Sequence, residues 1–156
     1  HAHDRTVVHR DVKPANILVD WSHDVVKLGD FGVARWADLA QTRSGQAVGS
    51  PEYMAPEQLA GGDVGPAADL YGLGASLYEL LAGRRPHAAP TLGELLRAVA
   101  NDPVRDLEQL CPELPTALSQ LIMSSLAKHA SQRPASADAM AAGLEQAYVS
   151  PTVNSP

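Results

Sequence analysis

The chain has little with which to brace itself covalently. Cys111 is the one cysteine among 156 residues, so no disulfide can form within it. That usage fits a reducing compartment, and the plainest reading of the thiol is a buried, inert one. No apolar run approaches the ~20 residues that cross a bilayer, and no secretory leader is visible. Positive charge is not in excess: the formal net charge is −6. That balance argues against bulk nucleic-acid affinity and leaves the fold open. There is no internal repeat. What is present is a 45% hydrophobic content over a length typical of one domain, enough for a real core.

Three short strings carry chemistry. The first is His9-Arg10-Asp11-Val12-Lys13-Pro14-Ala15-Asn16, the second Asp30-Phe31-Gly32, the third Ala55-Pro56-Glu57. The first sets an acid, a cation and a carboxamide just before a β-prone run, and the second adds a carboxylate at a glycine turn. Any one alone reads as an ordinary solvated turn. Together, in this order and spacing, they resemble the catalytic loop, the metal-binding triplet and the end of the activation segment of protein kinases. Phosphoryl transfer needs positioning and charge neutralisation more than covalent help. On the resemblance, Asp11 accepts or orients the proton of an acceptor hydroxyl, and Lys13 places a charge on the phosphoryl oxygens. Asn16 and Asp30 supply the oxygen ligands that Mg²⁺ prefers, and Leu18 matches a position touching the adenine ring of ATP. The implied cofactors are therefore ATP and Mg²⁺.

The resemblance extends from residue 1 to about 147 and implies an α+β fold: the large lobe of a kinase, mostly helical, with a short β-hairpin by the catalytic loop. No glycine-rich phosphate loop and no Val-Ala-Ile-Lys strand precede residue 9. The small lobe is thus expected to lie outside this sequence, as a missing partner from the same protein, leaving an apolar face exposed. Ile17–Val19 and Val25–Leu28 read as the hairpin, and His1 to Arg5 as the last turn of a helix. Pro66 opens a helix to about Ala82, apolar nearly all round and therefore expected to be buried, with Gly83 as its stop. Gly72 and Gly74 let other segments approach that helix closely. Thr91 with Glu94 reads as a capping box, Pro115 to about Lys128 as a helix, and Ser136 as the N-cap of a last one. Residues 33–54 suit a mobile loop, and 148–156 a disordered tail or linker.

Lys13-Pro14 and Gly49-Ser50-Pro51-Glu52-Tyr53 look like the serine/threonine type, with protein Ser/Thr hydroxyls as substrates. Ser50 stands where the family usually has Thr, and it keeps the hydroxyl that bridges Asp and Lys in the substrate platform. Arg84-Arg85-Pro86 and the alanine content resemble bacterial members. Arg10 marks the subgroup controlled by activation-loop phosphorylation, with Ser44 and then Thr42 as acceptors. The resemblance gives structural roles to Asp69 (holding the catalytic loop), to Glu57 and Arg133 (a buried ion pair), and to His9 and Phe31 (a stack linking the lobes). His1 and His3 lack further ligands for a metal; His87 and His129 read as exposed. The cytoplasm is the expected location, any membrane anchor belonging to other segments. The alternatives are a pseudokinase-like interaction module, which intact Asp11, Lys13, Asn16 and Asp30 argue against, and a small-molecule phosphotransferase. The platform at Gly49 to Glu57 speaks against the latter.

Overall fold

The computed structural model describes residues 2–30 and 50–149. Phe31, Thr42, Ser44 and most of the loop expected at 33–54 lie outside the described residues. The chain enters through a 3-10 turn at His3–Arg5, where a longer helical turn was expected. A second 3-10 turn, Pro14–Asn16, begins on proline, whose fixed φ suits a first position. It feeds β1 (Ile17–Asp20), which pairs antiparallel with β2 (Val25–Leu28), with Ile17 opposite Leu28. The Asp20 carboxylate accepts from the Ser22 backbone and its hydroxyl and so closes the turn between them. The hairpin is thin: Leu18, Val19, Val25, Val26 and Leu28 are all exposed, and Trp21 is 88% exposed.

The rest is helical. A 3-10 turn at Pro51–Tyr53 leads to α1 (Pro56–Leu59) and then α2 (Pro66–Ala82). The start and stop of α2 are those predicted. Pro66 sits in its first turn, and Gly83, at φ 66°, donates its N–H to the Glu79 carbonyl. Then come α3 (Leu92–Asn101), α4 (Leu107–Leu110), α5 (Thr116–Ser125) and α6 (Ala137–Val149). The Thr91 hydroxyl caps α3 by accepting from Glu94 N–H, and the Ser136 hydroxyl accepts from Ala139 N–H at the start of α6. Two ends differ from the sequence reading. α5 stops at Ser125, short of Lys128, and α6 runs through Tyr148 to Val149, past the expected boundary at 147.

α2 packs on α5, and α5 on α6. Tyr71, Tyr78, Val99, Leu107, Ile122 and Leu126 form the core between them. Cys111 is buried there, as read, its thiol donating to the Leu81 carbonyl. The approach of α2 to its neighbours is close enough that side chains are excluded. A Cβ on Gly72 would lie 2.7 Å from the Val12 carbonyl, and one on Gly74 would lie 1.8 Å from Ser125 Oγ.

Two burial expectations are corrected. α2 is not buried all round: Leu80 is 77% exposed, and Leu73, Leu77 and Leu81 are half-buried. The core takes only the face carrying Tyr71, Ala75 and Tyr78, because α5 covers that side. His87 is buried rather than exposed. Its Nε2 accepts from Lys128 Nζ at 3.0 Å, and the same ammonium donates to the Val99 carbonyl at 2.6 Å in the last turn of α3. Burial and then the Lys128 charge push His87 down to about 4, against a weaker pull from Asp102. His129 is exposed, as read.

Candidate active site

The site is built on a loop clamped from below. Asp69, in the first turn of α2, accepts from the backbone N–H of His9 at 2.8 Å and of Arg10 at 2.7 Å. His3 Nε2 adds a contact to the same carboxylate at 2.8 Å. Arg10 adopts φ 66°, a left-handed geometry uncommon for a residue with a side chain. The two Asp69 bonds hold one side of it. Gln58 holds the other, donating its side-chain N–H to the Arg10 carbonyl at 2.9 Å while its Oε1 accepts from Ala55 N–H. The sequence reading missed Gln58. Its only sequence signal is its place three residues after Ala55, the spacing of a helix cap.

Above this clamp the residues of the first string converge. Lys13 Nζ lies 3.0 Å from Asp11 Oδ2 and donates to Ser50 Oγ at 3.4 Å. Asn16 Nδ2 donates to the Asp11 carbonyl at 2.8 Å and to Asp11 Oδ2 at 3.0 Å. That arrangement commits the side-chain nitrogen of Asn16 and leaves its side-chain oxygen Oδ1 without a hydrogen bond among the described residues. Asp11, Lys13 and Asn16 are all buried. His9 is buried beside them. Its Nδ1 accepts from Asp11 N–H and its Nε2 meets the Gly29 carbonyl at 2.8 Å, which fits the tautomer protonated on Nε2. Gly29 N–H in turn donates to the Asn16 carbonyl at 2.8 Å. These bonds hold Gly29, just past the end of β2, against the backbone of Asn16, and Asp30 follows it at φ 49°. Asp30 and Arg10 are exposed, and Leu18 is 58% exposed on β1.

A family comparison decides what this constellation belongs to. Residues 1–145 match the protein kinase domain. The chain belongs to that family. Among curated relatives, the kinase is 43% identical over 148 residues to the serine/threonine-protein kinase PknD of Mycobacterium tuberculosis, covering 94% of this chain and 22% of that protein. It is 38% identical over 143 residues to the DNA damage-responsive serine/threonine-protein kinase RqkA of Deinococcus radiodurans, covering 90% and 21%. It is 41% identical over 147 residues to the serine/threonine-protein kinase PknA of Mycobacterium tuberculosis, covering 90% and 33%. The kinase chain thus spans about a fifth to a third of the length of these bacterial relatives. Among the described residues no helix is long and apolar enough to cross a membrane.

Two arginine clusters flank the site. Arg133 grips Glu57 with two bonds, at 2.6 and 2.8 Å, and donates further to the carbonyls of Ala67, Ala127 and Lys128. Its guanidinium lies over the Tyr71 ring. Burial would raise the Glu57 carboxyl, but the Arg133 hydrogen bonds and charge outweigh it and hold the group below the usual range. Burial pushes the Tyr71 hydroxyl up to about 12. The second cluster is on the open side. Arg85 contacts Glu52 at 2.9 Å and Glu79 at 3.4 Å and lies over the Tyr53 ring, whose hydroxyl donates to Glu79.

Proposed function

We propose that residues 1–147, with the helical turn that continues them, form the large lobe of a serine/threonine protein kinase. The intact enzyme transfers the γ-phosphate of ATP to Ser or Thr hydroxyls of protein substrates. The observation that carries this reading is the buried set Asp11, Lys13 and Asn16, joined by short polar contacts on a clamped loop, with half-buried Ser50 reached by Lys13. Asp11 is the acceptor for the substrate hydroxyl proton, oriented by Asn16 and held beside the Lys13 charge. Lys13 neutralises charge on the transferring phosphoryl group. Ser50 ties the platform for the acceptor segment to that lysine.

The donor set fits a hard cation. Asn16 offers its side-chain oxygen Oδ1 once its nitrogen is committed to Asp11, and Asp30, one residue after the Gly29 that bonds the Asn16 backbone, offers a carboxylate. Bound there, Mg²⁺ would neutralise phosphate charge. Leu18 contributes apolar surface to the adenine. The small lobe is the partner that completes ATP binding, and the lone buried Cys111 fits a place in the reducing cytoplasm, any membrane anchor belonging to other segments. Arg10 is the docking cation for a phosphate on Ser44 or Thr42.

Positioning supplies most of the rate in such a reaction, so this chain alone is expected to transfer no phosphate. In the intact kinase, Asp11→Asn should lower transfer of radiolabelled phosphate from Mg-ATP to a protein acceptor by about 10²–10⁴-fold. A variant as active as the wild type would overturn the reading.

A further inference from the structure

A cleft of about 960 Å³ joins the catalytic end, at Lys13 and Ser50, to the cluster of Tyr53, Glu79 and Arg85. Ser50 and Tyr53 belong to one 3-10 turn, with Tyr53 N–H bonded to the Ser50 carbonyl. A segment that presents a hydroxyl to Asp11 beside Ser50 therefore lays its neighbouring residues along Tyr53. There it meets the Glu79 carboxylate and the Arg85 guanidinium, which is itself paired with Glu52. Without the arginine this end would be an acidic trap for a Lys or Arg next to the acceptor. With it, the trap is already filled: Arg85 reaches Glu52 through Nη1 and Glu79 through Nε, and it lies 5.8 Å over the Tyr53 ring, the stacking an incoming cation would seek. The Arg85 side chain is 42% exposed, so it sits at the cleft surface as a lining group rather than inside the core.

We propose that Arg85 is a built-in substitute for a substrate cation and sets the specificity of the acceptor cleft. It cancels the attraction of Glu52 and Glu79, so the kinase does not select basic residues beside its Ser or Thr. This rests on the catalytic reading above. Electrostatic selectivity of this kind is a difference between attracting one flank and not attracting another, and a resident counter-charge removes the difference.

The test uses the intact kinase and matched Ser peptides differing only at the residues flanking the acceptor: Ala, Arg or Glu. Wild type should rank the Ala and Arg peptides within about threefold of each other, since the carboxylates are already paired. Arg85→Ala should raise kcat/KM for the Arg peptide by about tenfold relative to the Ala peptide, the scale of one charge-assisted bond. Adding Glu79→Gln to that variant should cancel most of the gain. Arg85→Lys, which keeps the charge, should rank the peptides as wild type does. Circular dichroism melts of each variant separate a lost preference from a lost fold. An Arg85→Ala enzyme that is folded and ranks the peptides as wild type does overturns the assignment alone. If wild type phosphorylates no peptide or protein at all, the catalytic reading falls and takes this one with it.

Discussion

Arg133 and Arg85 are assembled from the same parts. Each lies over a tyrosine ring, and each holds a glutamate from the segment at residues 52–57. They differ in what surrounds them. The Arg133 side chain has no exposed surface, and its other donors end on three backbone carbonyls. The Arg85 side chain is 42% exposed and pairs with the carboxylates of Glu52 and Glu79. A buried guanidinium with its donors satisfied is part of the frame, since removing it strands a charge and several carbonyls in a dry place. An exposed one is screened by water and salt, so its pairing contributes little to folding and is available for selection.

The sharpest way to break that contrast is Arg133→Ala. Leaving Glu57 half-buried and unpaired should cost about 3–5 kcal/mol. Thermal or urea denaturation of the intact kinase domain measures it, and an unchanged midpoint would mean that the pair is structurally idle. Glu57 adds a pH signature. Its carboxyl is depressed in the folded state, so its stabilising contribution is present above the ordinary carboxylate range and is lost as pH falls through the depressed value.

The next effect concerns a basic cluster of intermediate exposure, His87 with Lys128. The folded state holds His87 at about 4, below its ordinary value of 6.5. The unfolded chain then binds the proton more readily. Stability should be intact above about pH 6.5 and decline as pH falls from there to about 4. Melts at pH 7.5, 6 and 5 should show this fall. His87→Asn, which cannot titrate, should flatten the part of it that lies above pH 5. The smallest effect should come from Arg85→Ala, within about 1 kcal/mol of wild type and smaller still at high salt. A loss as large as that for Arg133 would move Arg85 into the frame and weaken its assignment as a selector.

Much of this was legible in the sequence, for a physical reason: the string from His9 to Asn16 is local. Asp11, Lys13 and Asn16 sit within one loop, so their meeting needs only that loop's geometry. Pro66 and Gly83 likewise mark the ends of α2 by their own dihedral limits. Burial was harder to read, because it depends on neighbours far along the chain. The leucines of α2 announced an all-round apolar helix, yet Leu80 faces outward, since α5 covers only one side. His87 looked like a surface histidine until Lys128, forty-one positions away, was seen to close over it. Gln58 and Tyr53 carry no chemical signature in isolation. Their importance lies in the Arg10 carbonyl and the Glu79 carboxylate they reach.

The two glycines of α2 fix a mechanical tolerance. At Gly72 the helix backbone bears on the clamped loop at Val12, between Asp11 and Lys13, and at Gly74 it bears on Ser125 of α5. A joint padded with leucines can take up a small misfit by turning a rotamer. A joint with bare glycine backbone on one side has little padding, so a displacement of α5 is passed on toward the loop. The alignment of Asp11 is in that sense machined from the far side of the molecule, and wear at Ser125 would register as play at the Asp11 carboxylate.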